Sequence, residues 1–249
     1  MKKNRIILGL TGAIVWGSVS AGTMGTPAQD TSWRWVGSFS AGPVWEDGGA
    51  TQTFNLTPEI EKSYRANKAT KTLGDFEVFL GGQRALSPVL LGQLGLAVGA
   101  TTDATLLGII WDDADPAFNN FSYRYKIQHT HVAAKGKLLA DMGYWVIPWV
   151  SGSIGVGFNN ASNFHNTPLI EEALATPNFK SHTETTFTYT LGAGIQKALN
   201  AHWQVGAGYE FADWGKSHLN RASDQTMNQG LRVNHLYTNG VMFNLTYVA

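Results

Sequence analysis

Three features of the chain predict an all-β protein, an eight-stranded antiparallel up-and-down transmembrane β-barrel with four long extracellular loops. Apolar residues alternate with glycine or polar residues in repeated runs, which is the period of a β-strand with one apolar face. The connections between these runs are alternately long and short, as in barrels with short turns on one side of a membrane. Charged residues make up only 14% of the chain, against roughly 25% in soluble domains, and 28 of the 249 residues are glycine.

The first three strands are expected at about 33–45, 73–84 and 90–102. The first alternates tryptophan and phenylalanine with serine and glycine. The second and third alternate leucine, valine and phenylalanine with glycine, glutamine and acidic residues. In each strand the non-apolar face is small or polar, which suits the interior of a barrel whose apolar face meets lipid.

The fourth strand, about 121–134, is the least regular. Phe121, Tyr123, Tyr125 and Ile127 alternate with basic and amide residues and are expected to face lipid. Past His129 the apolar phase moves to the other set of positions, so the sequence predicts a β-bulge there.

The last four strands are expected at about 144–158, 184–198, 203–214 and 232–249. The seventh shows the pattern most clearly, because its large apolar side chains alternate with glutamine, glycine and glutamate. The connections follow from these bounds. Long connections are expected at 46–72, 103–120, 159–183 and 215–231, and short ones at 85–89, 135–143 and 199–202.

The amino terminus has the form of a secretory signal peptide. Residues 1–21 combine a basic start, a short apolar run broken by glycine, and a small-residue cleavage site at Val19-Ser20-Ala21. A polar periplasmic segment is expected at 22–32 and the barrel at 33–249. The chain has no cysteine and equal numbers of basic and acidic residues, which fits export and gives no indication of nucleic-acid binding.

Two sets of residues are the candidate sites in this barrel. Inward-facing charges are expected to pair as an internal salt-bridge network, with a narrow gated channel as the alternative. Tryptophan and tyrosine near the strand ends are expected at the two membrane interfaces. The charge network is Arg34, Asp75, Glu77, Arg124, Lys126, Glu184, Glu210 and Arg232, and the interfacial aromatics are Trp33, Trp45, Trp145, Trp203, Trp214, Tyr123 and Tyr247.

The architecture resembles the small outer-membrane β-barrels of the OmpA and OmpX type, most clearly over 185–210 and 240–247. The resemblance implies location in the outer membrane of a Gram-negative bacterium, contact with outer-membrane lipid and lipopolysaccharide, and a monomer. A C-terminal periplasmic peptidoglycan-binding domain is not expected, so anchoring through such a domain is not implied. The chain departs from the family at its end, because an aromatic last residue is usual and this chain finishes Tyr247-Val248-Ala249.

Several short patterns are weighed against an ordinary structural role. His129 and His131 have the spacing of metal ligands on a strand, but no third ligand is near in sequence, and the acidic residues at 112–115 lack the spacing of a calcium loop. A lipid A-modifying enzyme would use a serine and a histidine, for which Ser217, His218 and His235 are the nearest candidates. The two Thr-Pro-x-Ile-Glu segments, 57–61 and 167–171, are expected to start short loop helices.

The expected function is therefore a structural or surface-interaction role, in adhesion, envelope integrity or host contact. The extracellular loops would bind a surface ligand or host factor, and the first loop is the expected contact element. No catalytic site, metal or cofactor is expected. A narrow porin or ion channel is the alternative, and a lipid A-modifying enzyme is a weaker one.

Overall fold

The computed structural model describes residues 32–46, 49–68, 70–173 and 177–249. The predicted signal peptide, and the predicted periplasmic segment up to residue 31, lie outside the described residues. The strands of the described residues are β1 (Arg34–Glu46), β2 (Gln52–Thr57), β3 (Ile60–Ala66), β4 (Lys71–Ser87), β5 (Leu90–Thr101), β6 (Ala104–Asp112), β7 (Asn119–Ala140), β8 (Ile147–Pro168), β9 (His182–Ala198), β10 (Trp203–Asp213), β11 (Ser217–His218), β12 (Arg232–Val233) and β13 (Tyr237–Val248).

Eight of these strands close into a ring. The order around the ring is β1, β4, β5, β7, β8, β9, β10 and β13, and every pairing is antiparallel. Pairing of β1 with β13 closes the ring, for example Val36 with Val248. The predicted eight-stranded up-and-down barrel is therefore confirmed. We call the end with the short connections and the carboxyl terminus of β13 the lower end.

The barrel wall continues above this ring as additional sheet. β6 follows β5 and pairs with the first half of β7, β3 pairs with β6, and β2 pairs with β3. β8 remains paired with β7 as far as Pro168. Much of the chain that was expected as the loops 46–72, 103–120 and 159–183 is therefore strand, and the strand β7 also continues to Ala140 through the connection expected at 135–143. We call this extension the upper barrel.

The outer edge of β2 is covered by the connection between β10 and β13. The backbone N–H groups of Thr226 and Met227 donate to the carbonyl of Leu56, at 2.9 and 3.0 Å. The side chain of Gln52 donates to the Arg232 carbonyl at 2.7 Å and accepts from the Arg232 N–H at 3.1 Å. These contacts satisfy backbone groups that an open strand edge would leave unpaired.

The distribution of apolar side chains reverses between the ring and the upper barrel. Around the ring, large apolar side chains such as Leu80, Leu96 and Phe187 are more than 60% exposed on the outer face. In the upper barrel, Tyr64, Phe121 and Phe164 are buried inside. We call the outward-facing apolar band of the ring the apolar belt.

The reversal explains the irregular fourth strand. Phe121, Tyr123, Tyr125 and Ile127 are buried in the upper barrel, so the prediction that they face lipid is wrong. β7 pairs with β8 without interruption from Lys126 to Leu139, so the bulge predicted after His129 is wrong as well. The apolar phase changes because the apolar side chains of upper β7 face inward and those of lower β7 face outward, while the pairing with β8 continues in one register.

A register shift does occur higher in this hairpin. Between Arg124 and Lys126, the partner on β8 moves from His165 to Ser162, so β8 carries one extra residue. Asn163 in this bulge has a φ of 56°, a left-handed conformation that asparagine tolerates better than most residues.

The predicted loop helices are absent from the described residues. Thr57 and Ile60 pair with each other across the turn of the β2–β3 hairpin, and Pro168 ends β8. A hairpin replaces the first helix because β3 gains a partner strand in β6, whereas an isolated short helix would satisfy few backbone groups. No helix of the described residues is long and apolar enough to cross a membrane.

The predicted interfacial aromatics divide into two groups. Trp33, Trp45, Trp145, Trp203 and Tyr247 are exposed on the outside of the barrel. Trp214 and Tyr123 are 1% and 5% exposed and point into the interior, so neither lies at an interface. Both residues belong to the upper barrel or its junction with the ring, where apolar side chains face inward.

Candidate functional site: the barrel interior and its upper mouth

A buried ion network lies at the centre of the ring. Lys135 on β7 contacts Glu77 on β4 at 2.7 Å and Glu210 on β10 at 3.0 Å. The side chain of His131 lies 3.8 Å from the second carboxylate oxygen of Glu77. Because the three main partners come from strands on different sides of the ring, the network ties the barrel wall together across its interior.

Polar layers lie on both sides of this network. Below it, Lys137 donates to Gln196 at 2.6 Å and its ammonium lies 4.4 Å from the centre of the Trp149 ring. Above it, the rings of His129 and His131 lie against Trp214, with centroids 4.1 and 4.8 Å away. Nδ1 of His129 is 2.6 Å from Oδ1 of the Asn159 side chain, so this histidine has an ordinary hydrogen-bonding role.

The interior at this level holds little empty space. A cavity of about 40 Å³ remains beside Lys135, lined also by Glu77, Glu210 and Trp149. This volume accommodates a few water molecules. The side chains therefore fill the ring, as expected for eight strands.

Sequence reasoning identified only part of the network. It missed Lys135 and Lys137 because it ended the fourth strand before them. The signal was present, since Lys135 and Lys137 continue the alternation with Ala134 and Leu138.

The predicted interior charges lie in several different places. Asp75, Glu77 and Glu210 are buried inside the ring, and Glu184 lies in the upper barrel. Arg124 is exposed and Lys126 forms a 2.9 Å surface ion pair with Asp103, because outward positions of upper β7 face water. Arg34 at the start of β1 and Arg232 on β12 are exposed too, so these four residues are not part of an interior network.

An aromatic core fills the upper barrel above the polar layers. Tyr64 packs against the rings of Phe54, Tyr123 and Phe179, with centroid distances of 5.1, 5.8 and 5.5 Å. Phe164 continues the cluster, with its ring centroid 4.7 Å from that of Phe179. Burial raises the pKa values of Tyr64, Tyr123 and the neighbouring Tyr125 well above the usual value for tyrosine.

A recess opens at the top of this core. It has a volume of about 590 Å³ and an aromatic floor formed by Tyr64, Phe121 and Phe164. Lys62 forms a 2.6 Å ion pair with Asp112, which neutralises its charge. The remaining carboxylates therefore give the rim a net negative charge. We call this recess the mouth; the acidic residues that line it are Glu61, Asp112, Asp113, Glu172 and Asp224.

A second cavity, of about 760 Å³, lies beside the connection between β10 and β13. Its lining includes Glu184 and His218, together with the basic side chains of Lys216, Arg221 and Arg232. Glu184 Oε2 lies 2.9 Å from His218 Nδ1 and 3.4 Å from Nε2 of His182. Burial and the neighbouring His182 lower the pKa of His218, while Glu184 opposes that shift.

The residues considered for lipid A chemistry do not form a nucleophile and base pair. Ser217 is buried, and its hydroxyl has no hydrogen-bond partner among the described residues. His218 contacts Glu184, and His235 Nδ1 lies 2.9 Å from Asp213 Oδ2. Activation of a serine nucleophile requires a base within hydrogen-bond reach of its hydroxyl.

The comparisons with known proteins concern the fold. Sequence comparison found no match among protein-family models or curated proteins. The outer membrane protease OmpT from Escherichia coli has 8% sequence identity and a TM-score of 0.50, and the alignment covers 90% of this chain and 99% of OmpT. Neisserial surface protein A shares 11% identity, with a TM-score of 0.45 and coverage of 86% and 96%. At these identities the likeness shows the fold alone, which is that of bacterial outer-membrane β-barrels.

Proposed function

Because the chain has the fold of bacterial outer-membrane β-barrels, we propose that it is a closed, non-enzymatic barrel that binds a ligand at the cell surface. The proposal includes export through the signal peptide 1–21, insertion in the outer membrane of a Gram-negative bacterium, and a monomer in contact with lipopolysaccharide. The apolar belt supports membrane insertion, since a soluble protein would expose this band to water.

The observation that carries the proposal is the aromatic core beneath the mouth. A pore would require an open path from the mouth through the ring. Instead, packed tyrosine and phenylalanine side chains lie directly under the mouth, and the ion network around Lys135 fills the ring below them. The mouth is therefore a recess with a floor, which suits binding better than passage.

The chemistry of the mouth favours a cationic ligand that carries an apolar group. The aromatic floor would bury an apolar side chain, and the acidic rim would attract positive charge. A basic peptide segment with leucine or phenylalanine side chains, from a host factor or another surface protein, has both properties.

Binding can be tested on whole cells with a fluorescent peptide of alternating lysine and leucine. Cells that express the protein are expected to bind more peptide than cells without it. The double variant Glu61→Gln and Asp224→Asn should reduce this excess, since it removes two rim charges. The matched variant Asp103→Asn and Asp115→Asn, which lies off the mouth, should retain it. Equal binding by all strains would contradict the proposed role of the mouth.

The narrow channel remains a second candidate because charged side chains do line the ring. Planar-bilayer recordings of the refolded protein distinguish it from a closed barrel. We expect no steady conductance. Steady channels whose conductance changes in Lys135→Met would instead support the porin alternative.

The enzyme alternative has a separate test. Mass spectra of lipid A should be the same in cells with and without the protein. A modification that appears with the protein and disappears in Ser217→Ala or His235→Asn would show catalysis and contradict the non-enzymatic proposal.

A further inference from the structure

The side chains of His182, Glu184 and His218 have donor atoms that lie close together on the inner wall of the upper barrel. Their ligand atoms all lie within 4.8 Å of one another. His182 and Glu184 are two residues apart on β9, so both project from the same face of the strand. His218 comes from β11, in the connection between β10 and β13.

The distances fit a transition metal. In a tetrahedral zinc site with bonds of about 2.0–2.1 Å, two donor atoms lie about 3.3 Å apart. The carboxylate oxygen of Glu184 lies 2.9 Å from His218 Nδ1 and 3.4 Å from His182 Nε2. The rings of His182 and His218 pack against each other with centroids 4.1 Å apart, so both rings would rotate apart to direct their nitrogens at an ion between the three donors.

We propose that His182, Glu184 and His218 bind a divalent transition metal, of which Zn²⁺ is the best match. Two imidazoles and one carboxylate suit zinc, copper or nickel, whereas calcium and magnesium prefer sites made mostly of oxygen ligands. Among the described residues this is the only cluster of three or more histidine, cysteine or acidic side chains with such convergent donors.

The surroundings of the cluster supply what a metal site needs. The cavity of about 760 Å³ that Glu184 and His218 line leaves room for a water molecule or small anion as a fourth ligand. The other ring nitrogen of His182 lies 3.4 Å from the side-chain amide of Asn220. With the amide oxygen turned toward it, Asn220 would accept the Nδ1–H and hold Nε2 free for the metal.

The metal would join two separate parts of the upper barrel. Asn220 and Lys180 already form an isolated antiparallel bridge that holds the β10–β13 connection beside the segment that leads into β9. A metal ion bound by His218 and by the two ligands on β9 would add a second link at this place. The inference is independent of the ligand proposed for the mouth, because none of its three residues lines that recess.

Zinc binding can be measured by calorimetry on the detergent-folded protein, produced without a histidine tag. We expect about one Zn²⁺ per chain and no saturable binding of Mg²⁺. Glu184→Gln and His182→Asn should each weaken zinc binding by at least about tenfold, since each removes a ligand. His165→Asn is the matched control, because His165 is exposed on the outer face of β8 and should not contribute. Absence of stoichiometric binding, or wild-type affinity in Glu184→Gln, would overturn the proposal.

A second measurement separates a metal link from a variant that fails to fold. Zn²⁺ should slow trypsin cleavage after Arg221 in the wild-type protein and have no such effect in Glu184→Gln. The shift in gel mobility on boiling confirms that each sample is folded. Equal protection by zinc in both folded proteins would contradict binding at this cluster.

Discussion

At the scale of single residues, Lys135 is the central side chain of the ring. Its ammonium lies between Glu77 and Glu210 in a region from which bulk water is excluded. An ion pair of this kind is costly to create, but removal of one member leaves charges that are buried and unpaired. The effect of a substitution therefore depends on whether the remaining charges are also removed.

Lys135→Met should lower the free energy of unfolding by about 3–5 kcal/mol, because two buried carboxylates lose their cation. The measurement is urea unfolding of the protein in detergent or lipid. Lys126→Met is the control, since its exposed pair with Asp103 should contribute about 1 kcal/mol or less. Adding Glu77→Gln and Glu210→Gln to Lys135→Met should recover part of the loss; no recovery would mean that charge is not the cause.

The buried tyrosines of the upper barrel predict a loss of stability at high pH. Burial raises the pKa values of Tyr64, Tyr123 and Tyr125 in the folded protein above the unfolded value near 10. The contribution of these neutral phenols to the free energy of unfolding is complete below about pH 10. It declines as the pH rises, because only the unfolded state then releases the phenolic protons. Each tyrosine should cost about 1.4 kcal/mol per pH unit in that range.

Urea unfolding between pH 8 and 11.5 would measure this decline, and absorbance at 295 nm would follow ionisation of the tyrosines. Tyr64→Phe should make the slope shallower. Phe164→Leu is the control, because it disturbs the same aromatic core without removing a phenol. If the two variants have the same slope as the wild type, the pH effect does not come from Tyr64.

At the scale of elements, β7 shows what sequence patterns can and cannot predict. The apolar belt could be predicted because the outward positions of each ring strand carry apolar residues, such as Val132, Val150 and Leu191, in an unbroken alternation. The side on which Phe121 and Tyr125 lie could not be predicted, because alternation identifies the apolar face without showing whether it points to lipid or to a core. The cluster on β9 and β11 could not be predicted from spacing, since His218 approaches Glu184 only through the tertiary path of the last long connection.

The β2–β3 hairpin should stabilise the upper barrel without being needed for the ring. Replacement of 52–66 by a short glycine-serine linker removes Tyr64 from the aromatic core and the partner of Thr226 and Met227. We expect the ring to fold and the shift in gel mobility on boiling to persist, while trypsin cuts the 214–236 connection faster. Replacing only Pro58 and Glu59 of the turn by glycine is the control and should leave cleavage unchanged. Failure of the deletion variant to fold would show that the ring depends on the hairpin.

At the scale of the whole molecule, two kinds of protein interior are stacked along one set of strands. The ring has an apolar exterior and an interior of polar layers with a small apolar cluster of Val36, Phe79, Ala97 and Val248. The upper barrel has an aromatic and aliphatic interior. The short connections lie at one end and the mouth at the other, so the proposed topology places the mouth outside the cell.

Whole-cell proteolysis should reveal this orientation. Trypsin added to intact cells is expected to cut at exposed sites of the upper connections, after Lys180 or Arg221, and to leave the paired strands whole. Sites near the lower end, such as Arg34 and Arg84, should become accessible only after the outer membrane is permeabilised, if at all. Cleavage restricted to the lower sites in intact cells would show that the orientation is the reverse of the proposed one. The proposal of a surface ligand at the mouth would then be wrong.

The reversal within β7 also has a consequence for how deeply the barrel sits in the bilayer. Arg124 and Lys126 project outward from the same face of the strand as Val132, eight and six residues above it. A downward displacement of the barrel would carry these cations into hydrocarbon, at a cost of about 2–4 kcal/mol for each that reached the midplane. An upward displacement would bring Val132, Ile154 and Phe187 into water. The strand pattern therefore favours one depth of insertion and keeps the mouth at a fixed height above the lipid surface.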